Sequence, residues 1–187
     1  MRYFIELSYQ GTAYHGWQNQ PNAVSVQEKL EQALSLILRR TTEVVGAGRT
    51  DAGVHARQIF AHFDFFEPID LKELQYKLNS ILPKDIAVRN IFEVQAQSHA
   101  RFDAVSRSYE YHIVQQKDPF SIHRAFYLKL KPDVEKMNLG AKILLEYTNF
   151  KCFSRSRTDV KTYNCRIIRA EWIQEADKLI FYITADR

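Results

Sequence analysis

The chain has 187 residues, 45% hydrophobic and 26% charged, a balance that suits a soluble globular protein with one large domain or two small ones. No apolar run approaches the roughly 20 residues of a membrane helix, and the opening Met1-Arg2-Tyr3-Phe4-Ile5-Glu6 enters strand-like sequence without a signal-peptide cleavage site, so a cytoplasmic protein is expected. The net charge of +4 is uneven: residues 1–100 carry 10 Lys/Arg against 11 Asp/Glu, and residues 101–187 carry 16 against 11. A basic second half points mildly to a phosphate-rich partner. Cys152 and Cys165 form no C-x-x-C pair and the histidines are scattered, so two reduced thiols and no metal site are expected.

Along the chain, Tyr3, Ile5, Leu7 and Tyr9 alternate with Phe4, Glu6, Ser8 and Gln10 at the period of a half-buried strand. Gly11 opens a loop, and Ser25-Val26-Gln27-Glu28 has the form of a capping box for a helix from about Val26 to Arg40. A short β-branched stretch, 42–45, and a strand, 58–65, flank a glycine-rich loop. Asp70 caps a second helix that Pro83 ends, and a strand at 86–94 follows. The order β-α-β-β-α-β is that of a ferredoxin-like half. The pattern then restarts with a strand at 106–115, a short extended piece at 124–130, a helix beginning near Pro132, and a hairpin of strands 164–174 and 179–184. The expectation is an α+β protein with two ferredoxin-like halves, residues 1–98 and 99–187, the second incomplete at its C-terminus. An apolar strand pair needs a covering layer, so a further C-terminal segment beyond Arg187 is expected.

The stretch Gly46-Ala47-Gly48-Arg49-Thr50-Asp51-Ala52-Gly53-Val54-His55-Ala56 carries the most chemistry. Its glycines allow tight backbone approach, and between them stand a cation, a hydroxyl and a carboxylate. A carboxylate beside a guanidinium favours the ionised form that a nucleophile or base requires. The plainer alternative is that Asp51 closes an Asx turn. The glycine spacing fits neither a dinucleotide fingerprint nor a Walker A loop, so no nucleotide cofactor is expected.

Residues 48–56, Gly-Arg-Thr-Asp-Ala-Gly-Val-His-Ala, resemble the signature of the TruA family of pseudouridine synthases. Gly11 through Gln20, the segment His99-Ala100-Arg101-Phe102-Asp103-Ala104 with Arg107-Ser108-Tyr109-Glu110-Tyr111, and 149–166 resemble further family motifs in the same order. The resemblance implies a tRNA pseudouridine synthase acting on uridines 38 to 40 of the anticodon stem-loop, working as a homodimer. It implies that Asp51 is the catalytic carboxylate, that Arg49 helps displace the target base, and that Tyr109 lies near the uracil. The isomerisation is redox-neutral and calls for no cofactor or metal. Family members continue with a helix whose arginine pairs with the aspartate, which agrees with the expected missing segment.

Supporting residues have plainer readings as well. Tyr109 alternates on a strand and could be core, while His55 and His62 receive no catalytic role. Trp17 and Tyr14 either fill a loop or meet RNA bases. Arg101, Arg107, Lys151, Arg155, Arg157 and Lys161 are candidate phosphate contacts, singly indistinguishable from solvated charges and together resembling an RNA track. The competing function is a non-catalytic RNA-binding module, against which stands the absence of an RNP1-like run on any strand.

Overall fold

The computed structural model describes residues 1–154 and 162–187, and the chain divides into two compact units, Met1–Asp103 and Ala104–Arg187. The first contains β1 (Arg2–Tyr9), α1 (Val26–Leu38), β2 (Val45–Gly46), β3 (Ala56–Asp64), α2 (Leu71–Ile81) and β4 (Ile86–Val94). Its sheet has the order β2-β3-β1-β4, with every neighbouring pair antiparallel. Each helix returns the chain one strand further than its neighbour, and the other crossover fills the gap. This is the ferredoxin-like arrangement that the element order predicts.

The alternation of β1 decides which face is covered. Tyr3, Ile5, Leu7 and Tyr9 are buried together with Val26, Leu30, Ala33 and Leu34 of α1 and Leu74 and Leu78 of α2. Truncating Leu34 or Leu78 to alanine in such a core costs about 2–5 kcal/mol. Both helices start where the sequence signals them. Ser25 Oγ accepts from the Glu28 N–H (3.0 Å), and one oxygen of Asp70 accepts from the N–H groups of Lys72 and Glu73 (3.1 and 3.0 Å). The strand expected at 42–45 shrinks to Val45–Gly46 for an identifiable reason. Side chains of α1 occupy the preceding backbone: Ser35 Oγ accepts from Thr42 N–H, Glu31 from Val44 N–H, and Gln27 donates to the Val44 carbonyl.

On the face away from the helices, register sets Phe4 opposite both His62 and Phe92, with Phe60 two residues before His62 on β3. These rings touch in sequence across the sheet.

The second unit contains β5 (Arg107–Val114), β6 (Phe126–Tyr127), α3 (Val134–Leu144), β7 (Ile167–Glu175) and β8 (Lys178–Ala185). Its sheet order is β6-β5-β8-β7. Position for position, β5, β7 and β8 repeat β1, β2 and β3. The slot that β4 fills beside β1 is filled beside β5 by the two residues of β6, which run parallel and pair with Ile113 and Val114. Only Phe126–Tyr127 of the expected extended piece 124–130 is strand. Asp133 caps α3, accepting from the Lys136 N–H at 3.0 Å, with Pro132 just outside. The β7–β8 hairpin turns through Ala176, whose φ is +51°.

Candidate active-site loop

The loop joining β2 to β3 rests on the loop that follows β1. Trp17 N–H donates to the Thr50 carbonyl (3.3 Å), and Gly53 N–H donates to the Tyr14 carbonyl (3.2 Å). Tyr9 OH and Thr50 Oγ1 lie 2.9 Å apart, and Gly11 N–H donates to Nδ1 of His55 at 2.9 Å. Ala47 N–H reaches back to Phe60 O on β3 at 2.7 Å. Five bonds over nine residues fix the path of this backbone. Thr50 is thereby turned inward, while Arg49 and Asp51 on either side of it are exposed.

Gly11 and Gly16 admit the close approach of the two loops, and Gly53 makes the turn. Gly16 has φ +92°, and a Cβ there would collide with the Thr50 carbonyl, so only glycine admits the contact. Gly53 has φ +79° and closes a turn in which Val54 N–H donates to the Asp51 carbonyl (3.3 Å).

Support beneath the loop is aromatic. The sequence leaves Trp17 and Tyr14 open between filling a loop and meeting RNA bases, with Trp17 among the candidate RNA contacts. The structure corrects this: Trp17 is 1% exposed, lies against Gly46 and packs on Tyr9 with ring centroids 6.2 Å apart. A ring with no free face cannot stack on a base. Tyr14 is buried too, and its hydroxyl donates to Asp85 Oδ1 at 2.6 Å. Burial first, and then that bond, push the Tyr14 phenol far above its ordinary value. Asp85 also accepts at its carbonyl from Gln10 N–H (2.8 Å), so one residue at the start of β4 fixes both ends of the first loop's entry.

His55 is a structural acceptor. The sequence assigns it no catalytic role, and its bond to Gly11 helps seat the first loop. The only sequence signal for the Tyr9–Thr50 contact is that Tyr9 ends the inward-facing series on β1.

The remaining expected site residues distribute as follows. Arg101 is exposed on the first unit, with its guanidinium 5.8 Å from the Phe102 ring. Arg107 and Tyr109 belong to β5 of the second unit, where Tyr109 pairs with Ile183 and is 50% exposed, so it is not a core residue. Lys151 is exposed. Arg155, Arg157 and Lys161 lie outside the described residues. Among the described residues no cluster of three His, Cys, Asp or Glu side chains is placed to hold a metal ion, and no helix is long and apolar enough to cross a membrane.

Residues 7–103, which include both loops, match the family described as tRNA pseudouridine synthase. A Parabacteroides distasonis protein named tRNA pseudouridine synthase A is 51% identical over 187 residues, covering 100% of this chain and 74% of that protein. Its namesake in Bacteroides fragilis is 50% identical over 188 residues, covering 100% and 75%. A Clostridium perfringens protein named tRNA pseudouridine synthase A 2 is 35% identical over 184 residues, covering 97% and 75%.

Proposed function

Because the chain belongs to the tRNA pseudouridine synthase family, we propose that it isomerises uridine to pseudouridine in tRNA with Asp51 as the reacting carboxylate. The observation that carries this is the loop itself. A carboxylate and a guanidinium stand exposed on either side of an inward threonine, on a loop held by five hydrogen bonds. An exposed charged pair on a rigid mount is what a reaction on an external polymer requires, since positioning must be set before the substrate arrives.

In the isomerisation the N1–C1′ bond breaks and a C5–C1′ bond forms. The uracil turns between these steps, N1 gains a proton and C5 loses one, with no net oxidation or reduction. A carboxylate can serve by stabilising the electron-poor C1′, by adding to it, or by removing the 2′ proton. Arg49 fills the gap left when the uridine leaves its stack, a departure that costs roughly a few kcal/mol. Tyr109 holds the detached uracil by stacking and, where its phenol is activated to the phenolate, accepts the C5 proton. The substrate region is the anticodon stem-loop, with Arg101 and Arg107 among the phosphate contacts, and the working form is a cytoplasmic homodimer. Recognition by shape and backbone suits spread basic residues without a base-reading motif.

The test is release of tritium from tRNA labelled at uracil C5. Asp51→Asn, nearly isosteric and exposed, is expected to abolish release while leaving tRNA affinity unchanged. Turnover retained in that variant eliminates the assignment. Absence of release from the unaltered protein favours the non-catalytic RNA-binding reading.

A further inference from the structure

On the open face of the first sheet, four rings follow one another outward. The Phe4 ring lies 5.9 Å from His62, His62 lies 4.7 Å from His99, and His99 lies 4.2 Å from Phe102. Phe4 on β1 is half-buried, His62 is buried, and Phe102 at the far end is 74% exposed. We propose that Phe102 is a stacking platform for an unpaired base of the RNA substrate, the base forming the next ring of this column.

Exposed aromatic side chains are common and by themselves mean little. Phe102 differs in how firmly it is held. Arg2 Nη1 donates to the Ser98 carbonyl (2.8 Å), and Ala100 N–H, itself buried, donates to Nδ1 of His62 (3.2 Å). Asp103 accepts from His99 N–H (2.8 Å), and His99 Nδ1 accepts from Arg101 N–H (3.2 Å). The N–H groups of Phe102 and Asp103 both donate to the His99 carbonyl (3.1 and 3.0 Å). The segment 98–103 is thus pinned to the sheet and bonded internally, yet its largest apolar side chain is the part left in water. His99 covers one side of the ring and fixes its orientation, so little side-chain entropy remains to be lost when a second flat group stacks on it.

The chemistry beside the ring selects the partner class. The Arg101 guanidinium lies 5.8 Å from the ring centroid, placing a cation and an aromatic face within reach of one nucleotide. Aromatic rings with adjacent arginine bind unstacked bases in loops and bulges. Along β3, His62 stands six residues from Ala56, where the Asp51 loop ends, a separation of about 20 Å at the rise of a strand. The base that meets Phe102 is therefore not the reacting uridine, and the ring acts on affinity rather than on the chemical step.

This inference rests on the reading that the chain binds tRNA. The experiment measures affinity for an unmodified tRNA transcript by fluorescence anisotropy at fixed salt, for the unaltered protein and for Phe102→Ala, Phe102→Leu and Phe102→Trp. Loss of one stacked base corresponds to about a 5- to 150-fold weaker Kd. That loss is expected for alanine and also for leucine, which keeps apolar bulk without a π face. Tryptophan is expected to retain affinity, with its emission quenched as tRNA saturates. Thermal melting of each variant is expected to match the unaltered protein, because the side chain is in solvent. Alanine within two-fold of the unaltered Kd, or an unquenched tryptophan at saturation, overturns the platform and leaves the catalytic reading standing. A change of sedimentation with unchanged Kd assigns the ring to a protein contact and overturns it as well. Failure of the unaltered protein to bind the transcript removes both readings together.

Discussion

His62 shows how one ring on β3 ties local chemistry to stability. It is 4% exposed, its Nδ1 accepts from Ala100, and the neutral ring therefore carries its proton on Nε2. Burial, then the nearby Arg2 and His99, hold its pKa below the ordinary histidine value, against weaker pulls upward from Asp64 and Asp103. The sign of the linkage follows. Between the depressed folded value and the unfolded value of about 6.5, the unfolded chain binds more protons, so folding stability falls as pH drops through that window. Above the unfolded value this group contributes no slope. The melting temperature is expected to decline between about pH 7 and pH 5, and His62→Gln, which cannot titrate, is expected to flatten the decline. An equal decline in the variant would show that other groups carry it. The same residue marks a limit of sequence reading. His62 and Trp17 are spaced like many loop and strand residues, and only the return of segment 98–103 buries the first, as only the docking of two loops buries the second. Both contacts join residues more than 25 positions apart, between segments whose local pattern contains no trace of the other.

Elements were legible where local rules act alone. The alternation of β1, the caps Ser25 and Asp70, and the bounds of β4 all stand as the sequence pattern predicts. Strand β2 is shorter than the β-branched stretch predicts because side chains of α1 take the backbone groups a longer strand would use, and helical periodicity does not reveal which polar side chains turn back. A second device of this kind protects the sheet edges. Asn79 on α2 donates to Val88 O and accepts from Val88 N–H, both at 2.8 Å, on edge strand β4. Asn138 on α3 treats Trp172 on edge strand β7 the same way, at 2.9 and 2.8 Å. Each asparagine completes one residue's worth of ladder that no strand supplies, and so discourages edge pairing with another chain. Asn79→Ala leaves a part-buried donor and acceptor without those partners, and an expected loss of about 1–3 kcal/mol should be visible in urea unfolding. Asn79→Asp keeps the acceptor and loses the donor, so it should fall between. Alanine without measurable loss would mean that water replaces the amide completely.

At the scale of the molecule, one strand order serves two cores of unequal depth. The first unit buries nineteen hydrophobic side chains in one cluster, from Tyr3 through Ile91. The second buries Ile113, Val114, Ala141, Ala170, Leu179, Ile180 and Ala185 among the described residues, three of them alanines. Leu139 and Ile143 of α3 remain exposed although they share the helix with buried Ala141. Apolar burial at about 25 cal/mol per Å² is the main term opposing chain entropy, so the unit with small buried side chains is held by the smaller term. Periodicity does not record this difference in depth, because α3 and β7–β8 show the same periodicities as their counterparts, but the incomplete second half expected from the element order points the same way. Hydrogen exchange should expose it. Amides of Ile5, Leu7, Ala61 and Phe63 on β1 and β3 are expected to exchange only through the rarest opening of the protein. Those of Ala170 through Gln174 on β7 and Leu179 through Ile183 on β8 should exchange through a more frequent local opening, with lower protection and a weaker dependence on denaturant. Equal protection in both sheets, with one shared denaturant dependence, would refute the argument from core depth and show that the second sheet draws its stability from something other than its own buried side chains.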